Sequence, residues 1–271
     1  MIDALKYEVV RLRTIRSTYW LIGIALALQL FVGMLIAWAL PDSGPNSGGD
    51  RTFAMLVTIG GSAGFPLFTA YVLGLLGVFG MGHEYRHGMI RATLTALSSR
   101  PAVLVAKVLV TVGVTALVSF ACALVSLLVA AMFGVGLPTA GGFGDIVLGT
   151  VVFTALFALS GLAFSLITRN QTAAIALMLL LPSVIEEVIK GVVVIIKAVS
   201  DQPLDSGGAG RFLKFLPYDA GSQMFTQFSV DDFLEAFGVT SFGPVGGGLV
   251  MATFVALLLA VGTVLFVRRD A

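Results

Sequence analysis

The sequence predicts an all-α, polytopic membrane protein of six transmembrane helices, with an N-terminal interfacial helix and with both termini in the cytoplasm. The composition indicates a membrane protein, because 58% of the 271 residues are hydrophobic and only 11% are charged, whereas about a quarter of the residues of soluble domains are charged. The chain also contains long uncharged runs, and about 20 such residues suffice for a helix to cross a hydrocarbon core of about 30 Å. The basic residues are unequally divided between the two sides that these runs define.

Residues 1–18 are predicted to form an amphipathic helix that lies in the membrane interface. The apolar residues that would share one helical face are Ile2, Leu5, Val9 and Leu12. Arg11, Arg13 and Arg16 give the same segment its positive charge, a combination typical of interfacial helices. A positively charged extension without helical order is the alternative, since about fifteen residues are a short window for a periodicity.

Six apolar runs follow, each long enough to cross the membrane. They cover residues 19–40, 53–82, 102–133, 146–168, 172–192 and 246–267. The second run contains Pro66 and several glycines, which predict a bend. The fifth should be irregular, because Glu186 and Glu187 follow Pro182 within it.

The six runs form one transmembrane domain, residues 19–267, whose connections differ in character. Residues 83–100 form a charged loop with helix-compatible composition, suited to docking a partner, and residues 193–245 form a polar, glycine-rich outer region. With the N-terminus inside, eleven of the sixteen Lys and Arg residues fall on the cytoplasmic side, in agreement with the positive-inside rule.

The composition also argues against several kinds of function. A net charge of +1 gives no reason to expect a nucleic-acid partner. The single cysteine, Cys122, cannot form a disulfide or a cysteine metal site within the chain. No G-x-x-x-x-G-K-[S/T] pattern surrounds any lysine, so the chain does not hydrolyse ATP through a P-loop.

One segment matches the zinc motif H-E-x-x-H, in which two histidines one helical turn apart bind the metal and the glutamate acts as a base. Its residues are His83, Glu84 and His87. A zinc site needs a further protein ligand on the same side of the membrane, and the acidic candidates there lie near the chain ends. We therefore expect no metal and no cofactor. A membrane-embedded zinc metalloprotease that uses these three residues is kept as an alternative.

Glu186 and Glu187 form an acidic pair late in the fifth run, with Lys190 one helical turn further on. Counted from Thr172, Glu186 would lie about 21 Å along the helix, inside the hydrocarbon. A carboxylate at that depth suggests a role in a translocation path, and ion pairing within the helix near the outer interface is the other interpretation. An ion-coupled secondary transporter would need such an acid, although no repeat symmetry is evident.

The charged loop resembles part of a known family. It reads EYRHGMIRATLTALSSR from Glu84 to Arg100 and is followed by Lys107. This pattern resembles the first cytoplasmic loop of the ABC-2 type ATP-binding-cassette (ABC) exporter permeases, where a glutamate, a glycine, a Thr-Leu or Thr-Ile pair, a leucine-bearing helix, an arginine and a lysine recur in this order. Met89 departs from the threonine usual there, and the predicted layout agrees over nearly the whole chain.

The resemblance implies a permease subunit of the plasma membrane with no catalytic residues of its own. A separate ABC ATPase subunit would supply the energy, and a second permease copy, as a homodimer or heterodimer, would complete the path. The few charges in the spans favour a lipophilic or amphipathic substrate. The residues implied in coupling to the ATPase are Glu84, Arg86, Gly88, Arg91, Leu94, Leu97 and Arg100. Glu84, Arg86 and Arg91 would offer exposed charge to the ATPase. Leu94 and Leu97 would anchor the loop helix.

Overall fold

The computed structural model describes residues 2–39, 49–58, 68–86, 88, 100–200, 212–225 and 240–269. Within these residues every regular element is a helix, so the all-helical prediction is confirmed for them. The α-helices are α1 (Ile2–Thr14), α2 (Arg16–Ala39), α3 (Gly49–Thr58), α4 (Phe68–Arg86), α5 (Arg100–Phe133), α6 (Ala140–Thr168), α7 (Gln171–Leu180), α8 (Glu186–Ser200), α9 (Pro217–Ser222) and α10 (Gly243–Arg269). A π-helical turn, Leu181–Ile185, joins α7 to α8.

Four of the described helices are long and apolar enough to cross a bilayer. They are Arg16–Ala39, Pro101–Phe133, Ala140–Thr168 and Gly243–Arg268. Their positions correspond to the first, third, fourth and sixth predicted runs. Within the other two predicted runs the structure describes only shorter helices, so four of the six predicted spans are single long helices in the described part of the chain.

Two described helices, α3 and α4, overlap the second predicted run, residues 53–82, and its predicted bend is not tested. α3 ends at Thr58 and α4 begins at Phe68, while Pro66, the residue expected at the bend, lies outside the described residues. α4 also continues to Arg86, so the first residues of the predicted cytoplasmic loop are the last turn of this helix.

Gln29 of α2 binds backbone carbonyl groups in the last described turn of α3. Its buried Nε2 donates to the carbonyl oxygens of Leu56 at 2.9 Å and Val57 at 3.3 Å. The last carbonyl groups of a helix have no partner within that helix, and hydrocarbon offers them no water. Nε2 also donates to Ser126 Oγ at 2.7 Å, and Oε1 accepts from Thr69 Oγ1 at 2.9 Å. One side chain therefore joins α2, α3, α4 and α5.

We expect Gln29→Leu to lower the free energy of unfolding by about 2 to 4 kcal/mol, because a buried polar group left without its partner costs about 1 to 3 kcal/mol. Thermal unfolding of the purified chain in detergent measures the change. Thr253→Val is the control, since this exposed threonine bonds within its own helix to the Leu249 carbonyl at 2.8 Å, and such surface changes stay within about 0.5 kcal/mol. Equal stability of Gln29→Leu and the parent chain would refute the role given to Gln29.

The fifth predicted run is irregular, as expected. α7 gives way at Leu181 to the π turn, which contains Pro182, and α8 then continues to Ser200. Proline has no backbone N–H and cannot continue the regular hydrogen-bond ladder of an α-helix. The helical run therefore extends eight residues beyond the predicted limit of 192 but changes its geometry on the way.

α6 is the most deeply buried of the four long helices and packs against α4, α5, α7 and α10. Its contact with α4 is direct, because a Cβ atom at Gly77 would overlap the carbonyl oxygen of Ala158. One turn away, a Cβ atom at Gly161 would lie 2.9 Å from the Gly74 carbonyl oxygen. Small residues allow membrane helices to approach closely enough for backbone contact, and this contact holds α4 against α6.

α6 begins at Ala140, six residues before the predicted start, because Thr139 caps it. The Thr139 hydroxyl accepts the Gly142 N–H at 3.1 Å, which satisfies one of the free donors of the first turn. Asp50, at the start of α3, accepts the Thr139 N–H at 2.6 Å. This bond fixes α3 to the same end of the bundle as the start of α6.

The predicted interfacial segment, residues 1–18, is shared between α1 and α2, since Arg16 already belongs to α2. Ile2 and Val9, from the predicted apolar face of α1, are exposed, whereas Glu8 is buried against the protein. The face of α1 that packs on the bundle is therefore not its apolar face. Its position in a membrane interface stays a prediction.

Candidate functional site

Four charged side chains from α1, α4 and α5 form a buried group, called the α1 cluster: Glu8, Arg11, Glu84 and Lys107. Lys107 Nζ donates to Glu8 Oε1 at 2.6 Å and to the Gly80 carbonyl oxygen at 3.1 Å, and it also donates to Glu84 Oε1. Arg11 Nη2 lies 2.8 Å from Glu8 Oε2, and Arg11 Nη1 lies 3.6 Å from Glu84 Oε1. The cluster thus links three helices through side chains of opposite charge.

The α1 cluster is electrically balanced, with two acidic and two basic groups. Glu8 and Lys107 are each only 1% exposed, and charges buried to this degree are tolerated only when they are paired and hydrogen-bonded. An ammonium group has three donors, and all three donors of Lys107 are used. Of the basic residues predicted for the interfacial helix, Arg11 joins the cluster, whereas Arg13 and Arg16 are exposed.

The α1 cluster lies where the predicted coupling loop begins. Glu84 is two residues from the end of α4, and Lys107 lies two turns into α5. The expectation that Glu84 is an exposed charge is wrong, because it pairs with Lys107 and Arg11 and is only 2% exposed. The cluster therefore joins the two helices on either side of the loop to each other and to α1.

The other predicted coupling residues are only partly described. Arg86 and Gly88 are exposed. Gly88 has a φ of 65°, and its N–H donates to the Tyr85 carbonyl at 3.3 Å, so the chain turns away from the axis of α4 at this point. Outside the described residues lie Arg91, Leu94, Leu97 and the side chain of Arg100.

The H-E-x-x-H motif is described only in part. His83 packs edge-on against Phe79, with ring centroids 4.8 Å apart, and Glu84 is engaged by Lys107. His87 lies outside the described residues. Across the described ranges, no group of three or more His, Cys, Asp or Glu side chains could hold a metal. The expected lack of zinc stays a prediction.

A second charged group, called the α8 cluster, contains Glu186, Glu187, Lys190 and Asp219. Glu186 accepts two backbone hydrogen bonds from the first turn of α9, from the Tyr218 N–H at 3.0 Å and from the Asp219 N–H at 2.9 Å. Lys190 Nζ lies 2.6 Å from Glu187 Oε1 and 3.3 Å from Asp219 Oδ1. The α8 cluster therefore connects α8 to α9.

The interpretation of the acidic pair as intrahelical partners of Lys190 is confirmed for Glu187. Glu186 instead binds free N–H groups at the start of α9, a favourable place for a carboxylate. Glu186 is 3% exposed, while the Glu187 side chain is 32% exposed. Whether either carboxylate lines a translocation path stays a prediction.

α9 is buried between α6 and α10. The Tyr218 hydroxyl donates to Ser160 Oγ at 2.9 Å, and its ring packs edge-on against Phe157 and Phe254 at centroid distances of 5.3 and 5.8 Å. Burial raises the pKa of the Tyr218 hydroxyl and the pKa of the Asp219 carboxyl. The predicted outer region thus contains a segment that packs inside the bundle.

Glu8 and Asp219 are candidate functional residues that the sequence patterns did not single out. A signal for Glu8 exists, because Ala4, Glu8 and Arg11 are spaced four and three apart and share one helical face. Asp219 has no comparable signal, since its partner Lys190 lies 29 residues away.

Comparison with known proteins covers most of this architecture. The family model described as ABC-2 family transporter protein matches residues 4–184, which include every member of the α1 cluster. No curated protein is similar enough to count as a match. The matched segment is well over half of the 271 residues and contains three of the four long apolar helices. The chain is therefore a membrane protein that belongs to the ABC-2 family of transporters.

Proposed function

We propose that the chain is the membrane-spanning permease subunit of an ABC exporter, driven by a separate ABC ATPase subunit. Six spans would cross the plasma membrane: the four long helices, the pair α3 and α4, and the run from α7 to α8. Both termini would lie in the cytoplasm, which the distribution of basic residues favours. A second permease copy, identical or different, would complete the translocation path.

The α1 cluster carries this proposal. It joins α1 to the two helices that flank the loop, so a displacement of the loop reaches α1, α4 and α5 together. Breaking a buried ion pair costs about 3 to 5 kcal/mol, which suits a junction that transmits motion. Closure of the ATPase around nucleotide would then move the three helices as one body.

The coupling residues have different tasks in this mechanism. Glu84 holds the base of the loop to Lys107 and is too deeply buried to meet the ATPase itself. Arg86 is exposed at the end of α4 and is the first charge available to the partner. Arg91 would add a second contact further along the loop. Leu94 and Leu97 would anchor it.

We propose a lipophilic or amphipathic substrate, because the six apolar runs contain few charged residues that could line a path for an ion. Both carboxylates of the acidic pair lie near the route to the outer side in the proposed orientation. Glu187 is the better placed to meet a substrate, since it is partly exposed and Glu186 is occupied by the backbone of α9.

Arg86→Glu should reduce ATP-driven transport of a fluorescent amphiphilic dye about tenfold in vesicles that hold the chain with its co-purifying ATPase. Reversing one interface charge creates a like-charge contact, and tenfold corresponds to about 1.4 kcal/mol. The yield of folded chain should not change, because exposed charges contribute little to stability. Arg268→Glu, at the exposed end of α10, is the matched control and should transport normally. ATP turnover by the chain purified alone would contradict the proposed function.

A further inference from the structure

Over residues 186–196, α8 turns two charged side chains, Glu186 and Lys190, toward the protein and most of its apolar side chains away. Within its described part, the buried residues are Glu186, Lys190 and Val193, spaced four and three apart and therefore on one stripe of the helix. Val188 and Ile195 lie off this stripe and are 57% and 63% exposed. Two of the three side chains that α8 buries are charged. Apolar burial therefore contributes little to holding α8 against the bundle.

Polar contacts to α9 hold α8 instead. Glu186 binds the N–H groups of Tyr218 and Asp219, and Lys190 reaches the Asp219 carboxylate. α9 is the fixed side of this contact, because the Tyr218 hydroxyl is bonded to the fully buried Ser160 of α6.

The π turn, Leu181–Ile185, lies directly before these contacts. The Glu186 N–H donates to the carbonyl group five residues back, and Pro182 donates nothing. A π turn interrupts the α-helical ladder and is a common place for a helix to change direction. Ser183 within the turn contacts the Tyr71 hydroxyl of α4. The turn is therefore fixed to the bundle, and α8 extends from it.

We propose that α8 is a movable arm, hinged at the π turn and latched to α9 by Glu186 and Lys190. The described contacts that hold α8 to α9 are a few hydrogen bonds and one ion pair, so this latch can open without separating a packed apolar surface. The backbone contact between Gly77 and Ala158 cannot part in that way, because separated apolar surfaces lose their packing. The role of the motion, release of the substrate toward the outer side, rests on the proposed function. The latch itself does not.

Distance measurements between two spin labels test the latch in the full chain. Cys122→Ala removes the native cysteine, and labels are placed at Ile195→Cys on α8 and Leu249→Cys on α10, both 63% exposed. The labelled chain is reconstituted in nanodiscs with excess cysteine-free chain, so that only distances within one chain are read. Ile195 lies about 14 Å along α8 from Glu186, and a swing of about 20° therefore moves it by about 5 Å.

Glu186→Ala should broaden the distance distribution or shift it by about 5 Å, because both backbone bonds to α9 are lost. Glu187→Gln is the matched control, since it removes an adjacent charge whose ion pair stays within α8, and it should keep the parent distribution. If Glu186→Ala does not insert into the membrane, Lys190→Met takes its place, because it removes the bond to Asp219. The same change in the distance distribution is then expected. The parent distribution in the latch variants, or equal broadening in Glu187→Gln, would overturn the proposal. The distance measurement needs neither an ATPase nor a substrate, so failure of the proposed function would not affect this test.

Discussion

Lys107→Met is expected to lower the free energy of unfolding by about 3 to 5 kcal/mol, the cost of breaking a buried ion pair by removing one partner. The variant keeps the length of the side chain but leaves Glu8 and Glu84 with Arg11 as their remaining basic partner in the cluster. Two carboxylates would then lie side by side in a site with almost no access to water. Thermal unfolding in detergent and the yield of folded chain measure this effect.

Restoring the charge balance of the cluster should recover much of the loss, because buried charges are tolerated when each has a partner of opposite charge. Glu84→Gln, added to Lys107→Met, provides this test, because it leaves Glu8 and Arg11 as one ion pair at 2.8 Å. Lys6→Met is the control, since Lys6 is exposed on the same helix as Glu8 and should change stability by less than about 0.5 kcal/mol. If Lys107→Met unfolds like the parent chain, the α1 cluster does not hold these helices together.

Gly77→Leu should prevent α4 and α6 from packing and should abolish recovery of folded protein. Overpacking a core costs about 1 to 3 kcal/mol when neighbouring side chains can move. The neighbour of Gly77 is instead the backbone carbonyl of Ala158, so the two helices must separate. Gly77→Ala already places a Cβ atom against this oxygen and should lower the free energy of unfolding by about 3 kcal/mol, at the upper end of that range.

Gly113→Ala is the matched control for this prediction. Gly113 is an exposed glycine in the middle of α5, and a Cβ atom there would meet nothing within 4 Å. Replacing an unconstrained helix glycine with alanine gains about 0.5 to 1 kcal/mol, so stability should stay the same or rise. Size-exclusion profiles and thermal unfolding of both variants make the comparison. A well-folded Gly77→Leu protein would show that the contact between α4 and α6 is not needed.

The long helices could be predicted from the sequence because an uninterrupted apolar run of about 20 residues or more is by itself enough to indicate a membrane-spanning helix. α2, α5, α6 and α10 each appear where such a run occurs, with ends shifted by a few residues. The contact that holds the last described turn of α3 could not be predicted in the same way, because Gln29, which donates to the Leu56 and Val57 carbonyl groups, lies in another helix. A local run of apolar residues does not predict which distant side chain will form hydrogen bonds to its backbone.

For the charged sites, too, contacts within one helix could be predicted from the sequence, whereas contacts between distant residues could not. The pair Glu187 and Lys190 follows from a spacing of three in one helix. Glu84 resembles a surface charge in the sequence because the residues that bury it are far away along the chain. It pairs with Lys107, which in turn binds Glu8, 99 positions before it. Burial of a charge is decided by such tertiary partners, and hydropathy assigns charged residues to the surface by default.

The backbone contact between Gly77 and Ala158 also has a mechanical consequence. No layer of flexible side chains separates α4 from α6 there, so the joint is stiff and a load on α4 is carried by α6 along its 29 residues, about 43 Å. The far end of α6 is bonded through Thr139 to Asp50 of α3. In the orientation and mechanism proposed above, a displacement of α4 near Arg86 would reach the opposite side of the membrane through this contact. The two helices would then move together as one rigid unit, without bending relative to each other.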